Sequence, residues 1–488
     1  MSLQHPTDRT MRAHRRPVAV RSAGRRLLVA LVAVAALAMP VPAAAATQAP
    51  RPDAAVAVVP SLGAVPSGYV RYVSTSGRDT WSGTSLRPWR TIQHAVDAIR
   101  VGGTVVVRGG TYRGFVLRRS NITVQGVSGA VVVVAGGSNV IRVRGVTSAT
   151  IRRLTVRSAS VQYGAGIRVE GSRNVLLERN LVRNNHSFGI KVRDATGVTI
   201  RSNEIRNNDT GIELSGAVGG TAVLGNRIHH NDHMVTPSRG GNGIVFASTT
   251  GAVRVAGNRL WGNRARHLDG VGYDGGAFEV YRSSDLTITS NVLWDNNNAM
   301  ETGTDGTAPC SRIRFARNVV MGKGTVAGET TGLILRCADS STIAHNVFDG
   351  VDDYAFYLST SGGYAGSVSG LRILDNIVVR GRAYSIGSAL PASLVIDRNL
   401  AWPGGSKATY ANRVAYVKGF GNTSSLAEFR SWTGYEAHGL QADPRFVDPG
   451  AADYHLRAGS PAIDAGIVAY GESFAGRAPD LGVYEFMP

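Results

Sequence analysis

The chain has 488 residues, of which 43% are hydrophobic and 18% are charged, so it can form a large core and should contain few long, solvated helices. Its 60 glycines predict many tight turns, and its two cysteines do not have the spacing of a metal site. The formal net charge of +19 favours a polyanionic partner.

Residues 1–46 have the pattern of an export signal. Basic residues, including Arg25 and Arg26, precede an apolar run at residues 27–39 that is too short to span a bilayer. Small residues at positions 43–46 offer a cleavage site after Ala46. We therefore predict a secreted, extracellular protein with no membrane span, and the alternative is a retained membrane anchor.

The predicted signal peptide carries seven arginines and one aspartate, so its removal lowers the net charge by six, to +13. An acidic polysaccharide or an anionic cell surface suits an exported cationic protein better than nucleic acid does. A general bias towards arginine explains the charge equally well, since the chain has only four lysines. We expect a monomer that binds an acidic polysaccharide and no nucleic acid.

A short phrase centred on an asparagine recurs after an Ala/Pro/Val-rich linker at residues 47–67. The phrase is found at Asn180, Asn203, Asn226, Asn258, Asn291, Asn318, Asn346, Asn376 and Asn399. The base period is 22–23 residues, with insertions. Asparagine tolerates the left-handed backbone of a tight bend, and stacked amides can hydrogen-bond along the stack. We therefore predict a structural asparagine ladder.

Each repeat also contains three short runs of alternating apolar residues, separated by turn residues. Three strands per coil predict an all-β fold, a right-handed parallel β-helix over residues 68–441, with coils stacked about 4.8 Å apart. Apolar residues at helical spacing in residues 91–99 predict an N-terminal capping helix. Residues 426–432 predict a second short helix, and residues 442–488 are expected to close the other end.

The two cysteines, Cys310 and Cys337, are 27 residues apart, which is close to one coil. They could therefore lie on neighbouring coils, and export permits a disulfide. We predict a structural disulfide, with free thiols as the alternative.

Two segments resemble known proteins. Tyr72-Val-Ser-Thr-Ser-Gly-Arg-Asp79, Pro88-Trp-Arg-Thr-Ile-Gln-His-Ala-Val96 and Val107-Arg-Gly-Gly-Thr-Tyr112 resemble the opening segment of family 9 pectate lyases and several β-helix glycosidases. Ala442-Asp-Pro-Arg-Phe446 and Asp480-Leu-Gly-Val-Tyr-Glu485 are similar to the closing segment of bacterial right-handed β-helix proteins. The resemblance implies a pectin-lyase-like solenoid that acts on a polysaccharide. Family 9 lyases have an Asp-rich calcium-binding motif. In this sequence only Tyr273-Asp-Gly-Gly-Ala-Phe-Glu279 resembles it, and the match is partial.

The third run of each coil has the form Gly-Ile-x-Val, in which x points outward. The outward positions form one strip: Arg142, Arg168, Lys191, Glu213, Val245, Glu279, Glu301, Ile334 and Tyr357. The next outward positions include Glu170, Arg193, Tyr281 and Arg336. The resemblance implies that this sheet carries the site, and we predict substrate contacts from Arg168, Arg193, His230, Arg336 and Tyr357.

Glu279 and Glu301 occupy equivalent positions one base coil apart, so their backbones should lie about 4.8 Å apart. Two such carboxylates repel each other unless a cation lies between them. They could bind a metal such as Ca²⁺ together with Asp269 or Asp274. They could instead be the acid and nucleophile of a retaining glycosidase, or an exposed pair without a function.

Lys191 is a candidate base, because the neighbouring cations Arg168 and Arg193 favour a neutral amine. It lies four coils from Glu301, about 19 Å at the strand spacing, so both cannot act on one bond. If the carboxylate pair is central, His267 or Tyr281 is the better base. A solvated surface lysine is the alternative for Lys191.

Two long insertions, at residues 226–243 and 258–276, contain His230, His267, Asp269 and Asp274. Long loops on one edge of a solenoid commonly build binding sites, so these loops should wall a groove over the strip. Each histidine alone is more often an ordinary surface residue.

We predict from these features a carbohydrate-active enzyme that cleaves an acidic polysaccharide by β-elimination. A cation would neutralise the uronate carboxylate, and Lys191, His267 or Tyr281 would remove the proton. The alternatives are a retaining glycoside hydrolase that uses Glu279 and Glu301, and a β-helix that binds glycan or cell wall without catalysis.

Overall fold

The computed structural model describes residues 68–133, 137–233, 240–265, 275–322, 331–351, 353–404, 412–469 and 471–487. These residues belong to one compact unit, Pro50–Pro488. Within them, no helix has the length and apolar character needed to cross a membrane.

Three long sheets contain nearly all the strands. Sheet A is formed by Val70–Val73, Thr104–Val107, Ile122–Gly126, Thr147–Arg152, Arg173–Glu178, Thr199–Arg201, Thr221–Leu224, Val253–Ala256, Ser284–Thr289, Ser311–Ala316, Thr342–Ala344, Arg372–Leu374 and Val395–Asp397. Sheet B is formed by Gly110–Arg113, Ala130–Val133, Thr155–Arg157, Leu181–Arg183, Glu204–Arg206, Arg227–His229, Arg259–Trp261, Val292–Trp294, Val319–Met321, Val347–Asp349, Ile377–Val379 and Leu400–Trp402.

Sheet C is formed by Phe115–Leu117, Asn139–Arg144, Ala165–Glu170, Phe188–Arg193, Thr210–Ala217, Asn242–Thr250, Phe278–Tyr281, Asn298–Gly303, Thr331–Leu335, Phe356–Leu358, Tyr384–Ile386, Ala415–Val417 and Gly421–Thr423. A small hairpin, Phe446–Asp448 and Asp453–Leu456, stands apart from the three sheets. Among the strands in the described residues, only this hairpin and the last pair of sheet C are antiparallel.

Successive strands of the chain pass from sheet A to B to C and back to A, and each strand pairs in parallel with its counterpart in the next coil. The protein is therefore a right-handed parallel β-helix, as the repeat predicts. Alternation along each strand directs every second side chain inward. Ile167, Ile190, Ile212 and Ile244, for example, stack in register and are fully buried.

The predicted asparagine ladder is confirmed. The nine asparagines are almost fully buried, and the Nδ2 of each of the first eight donates to the Oδ1 of the next, for example from Asn180 to Asn203 at 3.0 Å and from Asn376 to Asn399 at 2.8 Å. The same Oδ1 also accepts from the backbone N–H of the preceding ladder asparagine, one coil away. The left-handed residue of the bend is the one before the asparagine, such as Arg179 or Asp375, so the ladder asparagine itself keeps ordinary backbone angles.

A second, shorter ladder lies at the turn from sheet B to sheet C. Its members follow the first-ladder asparagines by five residues: Asn185, Asn208, Asn231, Asn263 and Asn296. The amide-to-amide distances are 2.9–3.0 Å. Because these hydrogen bonds satisfy buried polar groups, the second ladder fixes the corner from which the strands of sheet C start.

Both predicted helices are present. Helix α1, Ile92–Ala98, buries Ile92, Ala95 and Val96, and it contacts the terminal strands of sheets A and C. That α1 caps the N-terminal opening stays a prediction. Helix α2, Leu426–Thr433, packs Phe429 against Tyr384 of the central core, with ring centroids 4.8 Å apart.

The C-terminal segment contacts the outer face of sheet B, and the expectation that residues 442–488 close the end of the β-helix stays a prediction. Its hydrophobic residues, including Phe446 and Tyr454, pack on outward-facing apolar residues of sheet B such as Val347 and Ile377, in a cluster separate from the central core. The segment therefore covers the side of the solenoid, because four successive coils expose apolar side chains there. Helix α2 contributes to the core at the C-terminal end.

Cys310 and Cys337 form a disulfide, as predicted, with their Cα atoms 5.3 Å apart. The bond joins neighbouring coils beside sheet C and is fully buried. It therefore links the turn after the strand of Glu301 to the turn after the next strand of the same sheet.

Candidate active site

The predicted outward strip exists as one continuous row on sheet C, which we call the sheet C strip. The in-register neighbours run in the order Arg142, Arg168, Lys191, Glu213, Val245, Glu279, Glu301, Ile334 and Tyr357. The alternation and the repeat therefore predicted the neighbours correctly across all nine coils, including the coils with long insertions.

Glu279 and Glu301 are direct neighbours in this strip. Asn242, at the start of the preceding strand, donates from Nδ2 to Glu279 Oε2 at 2.6 Å. Arg336 places a guanidinium nitrogen 3.7 Å from Glu301 Oε1, and a quarter of the Glu301 side chain remains exposed. The Asn242 amide therefore helps to position Glu279, and the Arg336 guanidinium lies beside Glu301.

Aromatic residues lie beside Glu301 on the following coils. The rings of Tyr354 and Tyr357 are 5.2 Å apart. Burial raises the pKa of Tyr354, and Asp353, Tyr357 and the Glu301 carboxylate raise it further. Tyr354 therefore remains a neutral phenol next to the carboxylate. It stands in the turn before its strand, outside the alternating pattern, so the sequence analysis missed it.

Tyr281 is two residues beyond Glu279 on the same strand. Burial and a hydrogen bond to Asp305 raise the pKa of Tyr281. Its ring lies 6.1 Å from that of Tyr364 and beneath Arg282. A phenol with a raised pKa donates a proton more readily than it accepts one at neutral pH, so this environment suits an acid or a binding residue better than the predicted base.

Lys191 forms an ion pair with Glu213, which lies on the neighbouring coil. Its Nζ lies 2.6 Å from Glu213 Oε1 and 4.2 Å from the centre of the Phe188 ring. Both charged side chains are largely buried. A role for Lys191 as base would require this ion pair to break, because the ammonium group is held against the Glu213 carboxylate.

Arginines are concentrated around the first coils of the sheet C strip. Arg142 and Arg168 both bind Glu170, and the second contact is 2.9 Å long. Arg193 is 60% exposed and lies 3.4 Å from Asp194. Positive charge exceeds negative charge in this part of the strip, as an acidic ligand requires.

His230 lies at the corner between sheets B and C, where its backbone is left-handed and its ring contacts His229 at 2.8 Å between Nδ1 atoms. Burial and the adjacent His230 lower the pKa of His229. The stacked rings of His229, Trp261 and Trp294 continue along sheet B. The local contacts of His230 are thus with sheet B, and its predicted contact with substrate stays a prediction.

His267, Asp269 and Asp274 lie outside the described residues. In the described parts of the chain, no three His, Cys, Asp or Glu side chains come together in a way that could hold a metal ion. Glu279 and Glu301 alone supply fewer oxygen ligands than the six to eight that Ca²⁺ typically takes. A calcium site would therefore need further oxygen ligands, for which Asp269 or Asp274 is the predicted source, and it stays a prediction.

Comparison with known proteins supports the architecture. Residues 106–299 match the family described as "Right handed beta helix region". No curated protein sequence matches the chain. The solved structure of the pectate lyase Pel9A is similar with a TM-score of 0.50 and 16% identity, over 86% of this chain and 96% of that one.

XylC, solved in complex with xylose, is similar with a TM-score of 0.53 and 11% identity, over 78% of this chain and 87% of that one. At these identities the likenesses establish the fold. The chain is a right-handed parallel β-helix with a pectate-lyase-like architecture.

Proposed function

We propose that this pectate-lyase-like β-helix protein cleaves glycosidic bonds of an acidic polysaccharide that lies along the sheet C strip. The observation that carries the proposal is the in-register pair of part-exposed carboxylates, Glu279 and Glu301. Adjacent parallel strands hold their backbones about 4.8 Å apart. Retaining glycosidases hold their two carboxyl groups about 5–5.5 Å apart, so the spacing fits this reaction class.

We propose that Glu301 is the nucleophile and Glu279 the acid. The Arg336 guanidinium offsets the negative charge of Glu301, which suits the group that attacks the anomeric carbon as an ionised nucleophile. The Asn242 amide donates to the Glu279 carboxyl group and helps to hold it in position to protonate the departing glycosidic oxygen. Water then cleaves the glycosyl–enzyme bond at Glu301, and Glu279 takes the proton from that water.

The excess of arginine at one end of the strip supports an acidic substrate. Arg142, Arg168 and Arg193 lie on the same outer face as the carboxylate pair, and Arg142 and Arg168 share the single carboxylate of Glu170. A polysaccharide along the strip would bring uronate groups to these arginines while a sugar several residues further along the polymer lies at Glu279 and Glu301. Tyr354 and Tyr357 would contact the sugar on the other side.

β-Elimination is the second candidate, and the concentration of carboxylates favours it. A divalent cation between Glu279 and Glu301, held also by Asp269 and Asp274, would neutralise a uronate carboxylate. The base would be His267, because Lys191 is ion-paired four coils from Glu301 and the raised pKa of Tyr281 keeps it protonated. Non-catalytic glycan binding is the remaining alternative.

The test is incubation of the protein with pectate, alginate and glucuronan, with and without a calcium chelator. New reducing ends without the ultraviolet absorbance of unsaturated uronates would support hydrolysis. Absorbance that the chelator abolishes would show elimination instead. The variants Glu279→Gln and Glu301→Gln should each lose about a thousandfold in rate or more, because each removes a group that acts in the transition state.

The matched control is Glu204→Gln, which alters a carboxylate of similar exposure on sheet B. This variant should keep full activity. Cleavage that survives both strip variants would refute the assignment of the site, and absence of cleavage with retained glycan binding would favour a binding protein.

We also propose that the protein is exported and loses residues 1–46. The support is the basic and apolar pattern of that segment. Expression of the full chain followed by mass spectrometry of the culture medium should find a protein that begins at Thr47. Retention of the full-length chain in the cell would contradict the proposal.

A further inference from the structure

A groove lies between the C-terminal segment and sheet B, on a different sheet from the candidate active site. We call it the sheet B groove, and it has a volume of about 500 Å³. Its lining includes Arg380, Trp402, Asp443, Arg445, Phe446 and Arg457. The hairpin Phe446–Asp448 and Asp453–Leu456 packs on the apolar outer residues of sheet B, and the groove lies at the margin of this contact.

The lining of the sheet B groove is predominantly cationic. Three arginines face one carboxylate, that of Asp443. Arg380 is held in position by the buried Asp349, which accepts from its Nε at 2.6 Å and also accepts from the Tyr454 hydroxyl. Asp349 offsets the charge of Arg380, but Arg445 and Arg457 still outnumber Asp443.

Trp402 supplies an aromatic surface in the same groove. Its indole is 43% exposed, although it ends a strand of the β-helix and its neighbour in register, Val379, is buried. An exposed indole next to arginines offers two kinds of contact at once. The ring packs against an apolar face, and a guanidinium binds a carboxylate with two parallel hydrogen bonds.

We propose that the sheet B groove is a second, non-catalytic binding site for the uronic acid residues of an acidic glycan. A pyranose ring has an apolar face that fits the Trp402 indole, and its carboxylate fits Arg445 or Arg457. A neutral sugar has no carboxylate for the arginines to bind, and inorganic phosphate has no apolar face to pack on the indole. The site would anchor the polymer on sheet B whether or not the sheet C strip cleaves it.

The experiment uses amide hydrogen exchange of the whole mature protein with and without trigalacturonate. Peptides that cover residues 400–402 and 443–458 should become protected, independently of peptides that cover the strip at residues 278–303. The measurement is made in the Glu301→Gln variant so that the probe is not consumed. Protection of the groove alone would support this proposal even if the strip is catalytically silent.

Two variants locate the binding. Trp402→Ala and Arg445→Gln should each lower the affinity for trigalacturonate about tenfold, the effect of losing one good contact. The affinity is measured from the protection of the groove peptides at increasing trigalacturonate concentration. Arg113→Gln, an exposed arginine at the far end of sheet B, is the charge-matched control and should bind normally. Equal protection in Trp402→Ala, no protection in any form, or equal protection by neutral xylotriose would overturn the proposal.

Discussion

Glu436 occupies the position that a tenth ladder asparagine would take. It is fully buried, and its carboxylate accepts from Asn399 Nδ2 at 2.7 Å and from the Asn399 backbone N–H at 3.2 Å. It also accepts from the Tyr384 hydroxyl. A carboxylate suits the last position of the ladder because the end needs only acceptors. We therefore expect Glu436→Ala to destabilise the C-terminal coils.

The magnitude follows from the hydrogen bonds that would be lost. Asn399 Nδ2 also donates to the carbonyls of Ile373 and Asp397, so it would remain satisfied. The Asn399 backbone N–H and the Tyr384 hydroxyl would be left without this acceptor in a buried site. Each such group costs about 1–3 kcal/mol, so the variant should lose about 2–6 kcal/mol of unfolding free energy.

The assay is denaturant unfolding, combined with amide exchange of residues 395–402 to locate the effect. Asp232→Ala, which removes an exposed carboxylate, is the control and should change stability by less than about 1 kcal/mol. A Glu436→Ala variant as stable as the control would refute the account of how the ladder ends.

The same residue makes stability depend on pH. Burial raises the pKa of Glu436 from 4.5 to about 7, so the folded protein keeps a proton that the unfolded chain releases. The stabilisation from this proton is fully present below about pH 4.5 and is lost as the pH rises to about 7, a change of about 3 kcal/mol. Glu436→Gln should lack this part of the pH dependence. An identical pH profile in both proteins would show that Glu436 does not titrate in this way.

Three further changes test other parts of the structure. Asn203→Ala removes a buried link of the first ladder and should cost about 2–5 kcal/mol in denaturant unfolding, whereas Asn207→Ala at the neighbouring bend should cost much less. Lys191→Met removes the ammonium group beside the buried Glu213 and should cost about 3 kcal/mol, most of which a second change, Glu213→Gln, should restore. Burial raises the pKa of Asp375 from 3.8 to about 7, so its stabilising proton is lost as the pH rises through that range, and thermal unfolding of Asp375→Asn should vary less with pH than that of the parent.

The sequence by itself determined the β-helix, the first asparagine ladder and the order of residues in the sheet C strip. These features depend on local alternation and on a repeat, since a side chain two positions along a strand returns to the same face and each coil aligns with the next. The pairing of Glu279 with Glu301 follows from these two rules. The second ladder has the same repeat in the sequence, because each of its asparagines follows a first-ladder asparagine by five residues, but it was not among the predicted features.

Only the tertiary structure decided which contacts the outward residues make. The ion pair of Lys191 with Glu213 and the contact of Arg336 with Glu301 depend on side-chain conformations that the repeat does not specify. Glu436 meets Asn399, 37 residues away, and Tyr454 meets Asp349, 105 residues away. The first contact lies at the end of the asparagine ladder, and the second arises where the non-repetitive C-terminal segment packs on the apolar outer face of sheet B. No periodic pattern encodes either position.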